Sequence, residues 1–161
     1  MISDSNKARV ALWWAITVAW AALIFYFSTR TFSPDFTQGV LASAFHLLHI
    51  HVSPRTFRIL HAILRKLAHL TEYAIFAFLL YGSPSEKGQG IWRPRRAVFC
   101  ILAAAAYSLT DEFHQLFVPG RHGSLLDCGL DTLGAALAML LHYTYNQVSL
   151  LRSKKALSHS S

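Results

Sequence analysis

The stretch "VALWWAITVAWAALIFYF", residues 10–27, decides the fold, because it holds 18 consecutive residues without a charge. A helix rises about 1.5 Å per residue, so this stretch nearly spans a bilayer core of roughly 30 Å. Lys7 and Arg9 precede it, as basic residues precede a secretory signal peptide. Its apolar part is too long and too rich in Trp for a signal peptide, however, and no A-x-A cleavage site closes it. We therefore predict a transmembrane helix.

The composition also indicates a membrane protein, of a length that suits one domain. Hydrophobic residues make up 53% of the 161 residues and charged residues only 14%, against about 25% charged residues in typical soluble domains. The net charge is +7. It does not indicate nucleic-acid binding, because the basic residues flank apolar segments and form no single patch.

Three further apolar segments follow, over residues 67–82, 96–117 and 125–145. Ionisable residues interrupt the first two of these, so windowed hydropathy scores them poorly. The pairs Ser33-Pro34 and Ser53-Pro54 predict helix starts, with serine as the N-cap and proline at the first helical position. Between them, "VLASAFHLLHI", residues 40–50, predicts a short amphipathic helix that lies at the membrane interface.

The distribution of Lys and Arg predicts the orientation. With the N-terminus inside the cell, nine of the 15 Lys and Arg residues lie on the cytoplasmic side and six on the other side, a modest positive-inside bias. We therefore predict an all-α bundle of four transmembrane helices in the cytoplasmic (inner) membrane, with the interfacial helix between the first and second and with both termini in the cytoplasm. Cys100 and Cys128 would then lie near opposite membrane faces, too far apart for a disulfide.

In this topology the polar residues of the last three helices share the extracytoplasmic end, where five of the eight acids fall. Residues three or four apart lie on one helix face, so each helix presents a polar stripe. The stripes are Arg65 or Lys66 with His69, Glu72 and Tyr73 on the second helix, Tyr107, Ser108, Asp111, His114 and Gln115 on the third with Glu112 beside them, and Ser124, Asp127, Asp131 and Gly134 on the fourth. The last stripe continues as Ala138, and its small residues predict close helix contact. Because ionisable groups inside a membrane usually face the bundle interior and mark function, the sequence predicts a polar pocket.

Some of these residues also have structural interpretations. Asp127 fits an S-x-x-D pattern and could simply cap the fourth helix. Lys66 could extend to lipid headgroups, and His69 with Glu72, at i and i+3, could form a structural pair. Asp131 is harder to explain in this way, because it lies well inside an apolar helix.

The segments "RKLAHLTEYAIFAFLLY", residues 65–81, and "DEFHQLFVPGRHGSLLDCGLDTLG", residues 111–134, resemble the VanZ-like membrane proteins. The ordered set K-x-x-H-x-x-E-Y, D-E-x-H-Q-x-F-x-P-G-R and S-x-x-D-x-x-x-(N/D)-x-x-G carries the resemblance, and "FYFS" at the end of the first helix agrees with it. The family often has Asn where this chain has Asp131, and residues 31–53 depart most from its pattern. The domain organisation that we predict is a VanZ-like transmembrane domain over residues 1–150 and a disordered cytoplasmic tail over residues 151–161.

The resemblance implies a polytopic bacterial envelope protein. The founding member of the family is associated with low-level resistance to the glycopeptide teicoplanin, but no reaction is settled for the family.

Our first hypothesis is a binding module for membrane lipids, in which Lys66 and Arg121 hold an anionic headgroup such as that of a lipid-linked cell-wall precursor or a glycopeptide-related ligand. A Pro-Gly turn would fold Arg121 over the helix ends. The other candidate ligand-binding residues are Tyr73, Gln115, Ser124, Asp127 and Asp131.

The second hypothesis is an intramembrane hydrolase or transferase. Its candidate catalytic residues are His69, Glu72, Asp111, Glu112 and His114. Glu72 would orient His69 as a base, and an acid of the third helix would donate a proton. Helix-borne His and carboxylate groups three residues apart also build metal sites in bundles, but no metal or cofactor is predicted here. A transport or proton-relay role is the third possibility.

Overall fold

The computed structural model describes residues 4–29, 34–82, 92–119 and 123–158, which form five α-helices. They are α1 (Asp4–Phe27), α2 (Pro34–Leu47), α3 (Pro54–Gly82), α4 (Pro94–Gln115) and α5 (Leu125–Ser158). No strand occurs within these ranges. The predicted all-α fold is therefore confirmed.

The second and third helices begin at the prolines of the two Ser-Pro pairs, as predicted. At the start of α3, the Ser53 Oγ accepts a hydrogen bond of 3.1 Å from the backbone N–H of Thr56, which is the geometry of an N-cap. Ser33 lies outside the described residues. The proline after each serine suits the first helical turn because it has no N–H to leave unsatisfied there.

Two helix bounds differ from the prediction. The short helix predicted over residues 40–50 is α2, which begins earlier, at Pro34, and ends at Leu47. At the other end of the chain, α5 continues to Ser158 where a disordered tail was predicted from residue 151. The segment "LLRSKKALS" contains Leu, Lys, Arg and Ala, which favour helix, and it has no Gly or Pro to end one.

The first helix lies antiparallel to α3. The Trp13 indole N–H donates to the Leu79 carbonyl at 2.8 Å, and the Trp20 indole N–H donates to the Glu72 carbonyl at 3.0 Å. From the first pair to the second, the contact moves forward along α1, from Trp13 to Trp20, and backward along α3, from Leu79 to Glu72. The two indoles thus fix α1 against α3 with both donors satisfied.

The fourth helix runs in the direction of α1. The Tyr107 hydroxyl donates to the Ala21 carbonyl at 2.7 Å, and Ser28 bonds to Asp111 one helical turn further on. Helices α3 and α5 run together in the opposite direction, since their contacts advance along both helices from Lys66–Asp127 to Leu70–Gly134.

Helices α3 and α5 pack closely at Gly134. A Cβ atom added there would overlap the backbone carbonyl of Leu70. The same stripe of α5 continues as Ala138, which is buried, and small residues allow helix backbones to approach each other. The close contact that the sequence predicts along this stripe is therefore present.

Two of the described helices are long and apolar enough to cross a membrane, judged by length and composition: Ser5–Phe27 and Leu125–Ser153. That α3 and α4 also cross the membrane, as the predicted bundle of four transmembrane helices requires, stays a prediction. Both of these helices nevertheless expose large apolar side chains, namely Ile59, Ile63, Leu64, Leu67 and Phe78 on α3 and Val98, Phe99, Leu102, Leu109 and Phe113 on α4.

The Gly134→Ala substitution should destabilise the protein. Alanine favours a helix by about 1 kcal/mol over glycine, but the overlap with the Leu70 carbonyl reverses the sign, and we expect a net loss of about 1–3 kcal/mol. Chemical unfolding in detergent measures the change. The matched control is Gly129→Ala in the same helix, where an added Cβ meets nothing within 4 Å. Equal effects of the two substitutions would contradict the close contact.

Candidate functional site

The Asp131 side chain is fully buried, at 0% exposure, where three helices meet. Its Oδ2 accepts a hydrogen bond of 2.5 Å from the Ser108 hydroxyl of α4. Its Oδ1 lies 3.3 Å from Nδ1 of His69 on α3, with the ring N–H poorly aligned for a hydrogen bond. We call His69, Ser108 and Asp131 the Asp131 cluster. A buried carboxylate is very costly without partners, so these contacts hold α3, α4 and α5 together at this level.

A second buried group lies one helical turn away along α4. The Ser28 hydroxyl at the end of α1 donates to Asp111 Oδ2 at 2.5 Å. The Gln115 side-chain amide donates to the Ser28 Oγ at 3.0 Å and to Asp111 Oδ2 at 3.2 Å. We call these three residues the Asp111 cluster. Since Ser108 and Asp111 are three apart on one helix face, the two clusters are neighbours.

Glu112 closes the connection between α4 and α5. Its Oε2 accepts a hydrogen bond of 2.6 Å from the backbone N–H of Ser124. The Ser124 Oγ in turn accepts one of 3.4 Å from the Asp127 N–H, so the predicted cap of α5 is present. In a capping box the acid at the third helical position would bond back to the cap. Here Glu112 of the preceding helix takes that role.

Asp127 is left to pair with Lys66, whose Nζ lies 3.5 Å from its Oδ1. The Lys66 side chain is 54% exposed. An ion pair with this much exposure contributes at most about 1 kcal/mol. The pair therefore lies at the rim of the site and adds little to the stability of the fold.

Several buried acceptor atoms have no hydrogen-bond donor among the described residues. They are Asp111 Oδ1, Glu112 Oε1 and Asp131 Oδ1. One ligand-type atom from each of His69, Glu112 and Asp131 lies within 4.8 Å of the other two. Buried polar groups are satisfied in nearly all native structures, so acceptor atoms that converge in this way indicate a binding site.

A cavity of about 240 Å³ lies beside His69, between α1, α2 and α3. The residues that line it are Phe27, Ser28, Thr37, Arg65, Ala68, His69 and Glu72. Its wall thus offers a guanidinium and an imidazole as donors, with one carboxylate, while the Ser28 and Thr37 hydroxyls donate to Asp111 and to the Pro34 carbonyl. Pockets for drug-sized ligands have volumes of about 300–1,000 Å³, so this cavity suits a headgroup better than a whole glycopeptide.

The structure brings His69 and Glu72 to the cavity as the sequence predicts, but it pairs His69 differently. Asp131 of α5 lies against the imidazole, and no hydrogen bond or ion pair joins His69 to Glu72 in the described part of the chain. Helical spacing places His69 and Glu72 on one face of α3 but does not aim one side chain at the other. Asp131 is therefore the group that orients the imidazole.

Of two other predicted residues, His114 lies away from these contacts, whereas Tyr73 lies beside them, near Ser108, Asp111 and Asp131. The His114 ring packs on Phe25, with 4.6 Å between ring centroids, and makes no hydrogen bond or ion pair with a described residue. Tyr73 has 0% exposure and packs against Tyr107. Arg121 lies outside the described residues. The roles of all three stay predictions.

Ser28 and Arg65 line the cavity but are absent from the predicted site residues. Ser28 directly follows the long apolar helix, and its hydroxyl is the feature of the sequence that could have identified it as a site residue. Arg65 is the alternative to Lys66 at the start of the predicted stripe of α3, since its step of four residues to His69 places both on one face, but only Lys66 is among the predicted site residues.

Beyond the two clusters and Glu112, the interior is mostly apolar, although Thr17 and Asn146 are also buried. Its buried residues include Phe76, Ala77, Ala97, Cys100, Ala104, Ala135 and Met139. Cys100 and Cys128 are both free. The described residues therefore form a polar site at one end of the bundle and no continuous polar path through this apolar core.

A protein-family model described as VanZ/LLP1 matches residues 13–146. The match includes all the residues of the two clusters and of the cavity wall. No curated protein and no solved structure shows a significant match to the chain.

The Ser28→Ala substitution should destabilise the protein, because it removes a donor from the buried Asp111 carboxylate. We expect the free energy of unfolding to fall by about 1–3 kcal/mol. Ser43→Ala is the control, since the Ser43 hydroxyl is exposed and bonds only within its own helix, to the Gly39 carbonyl. Chemical unfolding in detergent compares the two variants. A Ser28→Ala protein as stable as the Ser43→Ala control would contradict the Asp111 cluster.

Proposed function

Since the chain belongs to the VanZ/LLP1 family, we propose that it is a multi-pass protein of the cytoplasmic membrane that binds an anionic headgroup in the cavity beside His69. The cavity, with Arg65 in its wall, is the observation that carries the proposal. The ligand class is a phosphate-bearing lipid of the cell envelope. A lipid-linked cell-wall precursor belongs to this class.

The helix directions support four membrane spans. α1 and α4 run one way and α3 and α5 the other, as alternating spans require. α4 also has an inverted distribution of polarity: Ser108, Asp111, Glu112 and Gln115 are buried while its large exposed residues are apolar. Such a helix scores poorly by hydropathy because its polar residues face the bundle, where polar groups of membrane proteins belong.

The charge bias of the loops then places both termini in the cytoplasm and the cavity at the extracytoplasmic end. Ser28 ends α1, and α5 begins just before Asp127, so both elements contribute to the site from the same side. The interfacial helix α2 would lie at this surface, where Thr37 contributes to the cavity wall.

The donors of the cavity suit a phosphate group. The Arg65 guanidinium would bind two phosphate oxygens at once, since its planar fork matches that geometry. A ring N–H of His69 would donate to a remaining oxygen, because the Ser28 and Thr37 hydroxyls already donate to Asp111 and to the Pro34 carbonyl. Lys66 and Arg121, at the rim in this proposal, would attract the headgroup by charge.

The cavity volume of about 240 Å³ also bears on drug resistance. It is too small to enclose a glycopeptide, so we propose that any resistance arises through the envelope lipid that the protein handles. Direct capture of the drug is the less favoured explanation.

An intramembrane hydrolase or transferase is the second candidate, and the contact of His69 with Asp131 favours it. A carboxylate at Nδ1 orients an imidazole so that Nε2 can act as a base. Ser108 would not serve as a nucleophile, because it is fully buried and its hydroxyl donates to Asp131. Incubation of the protein with a polyprenyl phosphate or diphosphate, followed by phosphate release that His69→Gln abolishes, would establish this candidate.

The Arg65→Gln substitution should weaken binding of phosphate lipids at least tenfold. A charged hydrogen bond contributes about 1.5–3 kcal/mol, and 1.4 kcal/mol corresponds to a factor of ten. Protein in nanodiscs is titrated with a short-chain polyprenyl phosphate and, for comparison, with phosphatidylcholine. Arg55→Gln is the control, an exposed arginine at the start of the same helix. Equal affinity in both variants would contradict the assignment of the cavity.

The proposed topology predicts that a cysteine at residue 43 reacts with a membrane-impermeant maleimide in intact cells. A cysteine at residue 85, which lies between α3 and α4 in the sequence, should react only after the membrane is opened. Ser43→Cys and Ser85→Cys variants provide the two positions, in a background where Cys100 and Cys128 are replaced by alanine. The opposite labelling pattern would reverse the orientation.

A further inference from the structure

Three side chains from three helices, two of them buried and one half-buried, bring ligand-type atoms close together. They are His69 of α3, Glu112 of α4 and Asp131 of α5, with one ligand-type atom of each within 4.8 Å of the other two. Glu112 is 5% exposed and Asp131 0% exposed. The residues come from separate parts of the sequence, so their meeting is a property of the fold.

Each carboxylate has one oxygen in use and one left over. Ser124 N–H donates to Glu112 Oε2, and the Ser108 hydroxyl donates to Asp131 Oδ2. Glu112 Oε1 and Asp131 Oδ1 have no hydrogen-bond donor in the described ranges. A buried acceptor that is left unsatisfied costs about 1–3 kcal/mol, and more when it is charged. Two such oxygens, on acids that each bring a ligand-type atom within 4.8 Å of the other, therefore favour a positively charged partner.

The contact of His69 with Asp131 has the spacing of two ligands on one ion. Nδ1 and Oδ1 are 3.3 Å apart, yet they do not have the alignment of a hydrogen bond. Bonds of about 2.0–2.2 Å to a tetrahedral or octahedral ion separate neighbouring ligand atoms by roughly 2.9–3.5 Å. The observed separation lies within that interval.

We infer that His69, Glu112 and Asp131 bind a divalent first-row transition ion such as Zn²⁺ or Mn²⁺. The imidazole ligand favours these ions over Ca²⁺ and Mg²⁺, which prefer oxygen ligands alone. Two carboxylates balance the charge of a divalent ion, so that the filled site is neutral in a poorly solvated interior. This metal site goes beyond the proposed headgroup binding and does not depend on it.

The surrounding contacts hold the three ligands in place. Ser108 and the Ser124 N–H fix the second oxygen of each carboxylate, as outer-shell partners do in metal sites. The close approach of α5 to α3 at Gly134 sets the distance between His69 and Asp131. Three protein ligands leave coordination positions open, and His69 also lines the cavity. A phosphate oxygen in the cavity would be the nearest exogenous group.

The test uses the full chain, purified in detergent with an affinity tag that contains no histidine. Protein stripped with a chelator is incubated with Zn²⁺ or with Mn²⁺, desalted and analysed for bound metal by elemental mass spectrometry. We expect one tightly bound ion per chain. His49→Gln with His51→Gln, in a separate cavity between α2 and α3, should leave this ion in place. An ion lost with those two histidines, or no stoichiometric ion, would overturn the inference.

Two conservative variants examine the ligands directly. Glu112→Gln and Asp131→Asn keep the size of the side chain and an oxygen that accepts from Ser124 or Ser108. Each should bind the ion at least tenfold more weakly than the wild-type protein. Asp127→Asn is the matched control, an acid at the same end of α5 that pairs with Lys66 instead. Equal metal affinity in the variants and the control would contradict the site.

Two further measurements keep the test independent of folding and of lipid binding. The ion should raise the unfolding temperature of the wild-type protein, by linkage, and leave that of Glu112→Gln unchanged. Visible absorption bands of Co²⁺ bound to the wild-type chain should report nitrogen and oxygen ligands, and their absence would count against the site even if both variants failed to fold. Arg65→Gln should lose lipid binding and keep the ion, so the two proposals can fail separately.

Discussion

The buried Asp131 carboxylate is the constraint on which the arrangement of the helices depends. An unpaired carboxylate cannot remain in an apolar interior, so α5 must bring it to donors on its neighbours. Ser108 supplies one donor from α4 and His69 faces the other oxygen from α3. Gly134, three residues later on the same face, lets the α5 backbone approach α3 closely enough for the second contact. One stripe of α5 therefore carries both the carboxylate that needs partners and the glycine that lets α3 come close enough to supply one.

The fourth helix turns its polar residues toward its neighbours in the bundle. Its acids and amide are buried against α1, α3 and α5, and its large apolar residues point outward. In a soluble protein that pattern would be reversed, because charged residues are almost never buried without partners. The burial of these polar groups against the neighbouring helices therefore forms the site and also leaves the outer surface of α4 apolar.

Much of this could be predicted from the sequence, because helical spacing determines which residues share a face. The stripe of Asp127, Asp131 and Gly134 and the capping role of Ser124 follow from spacing alone. Spacing does not determine how each helix is rotated against the next. His69 was therefore expected to pair with Glu72, which lies three residues later on the same helix face, whereas the fold places Asp131 against it.

The residues that sequence reasoning missed have the same explanation. Ser28 is a single hydroxyl beyond an apolar helix, and its importance arises only because α4 presents Asp111 to it. The helical C-terminal segment was missed for a different reason, since a charged, hydrophilic end was taken as disordered although its residues favour helix. Local propensity was the better guide there, and tertiary contact decided the site.

His69 connects the buried cluster to the cavity, and the chemistry of imidazole makes its two contacts compatible. Nδ1 is buried toward Asp131, while the ring also lines the cavity. A nitrogen that binds an ion must offer its lone pair, so an ion at Nδ1 leaves the proton on Nε2. That N–H can then donate to a phosphate oxygen on the cavity side. An ion in the cluster would therefore prepare His69 to bind an anion, and the two sites would act together through one ring.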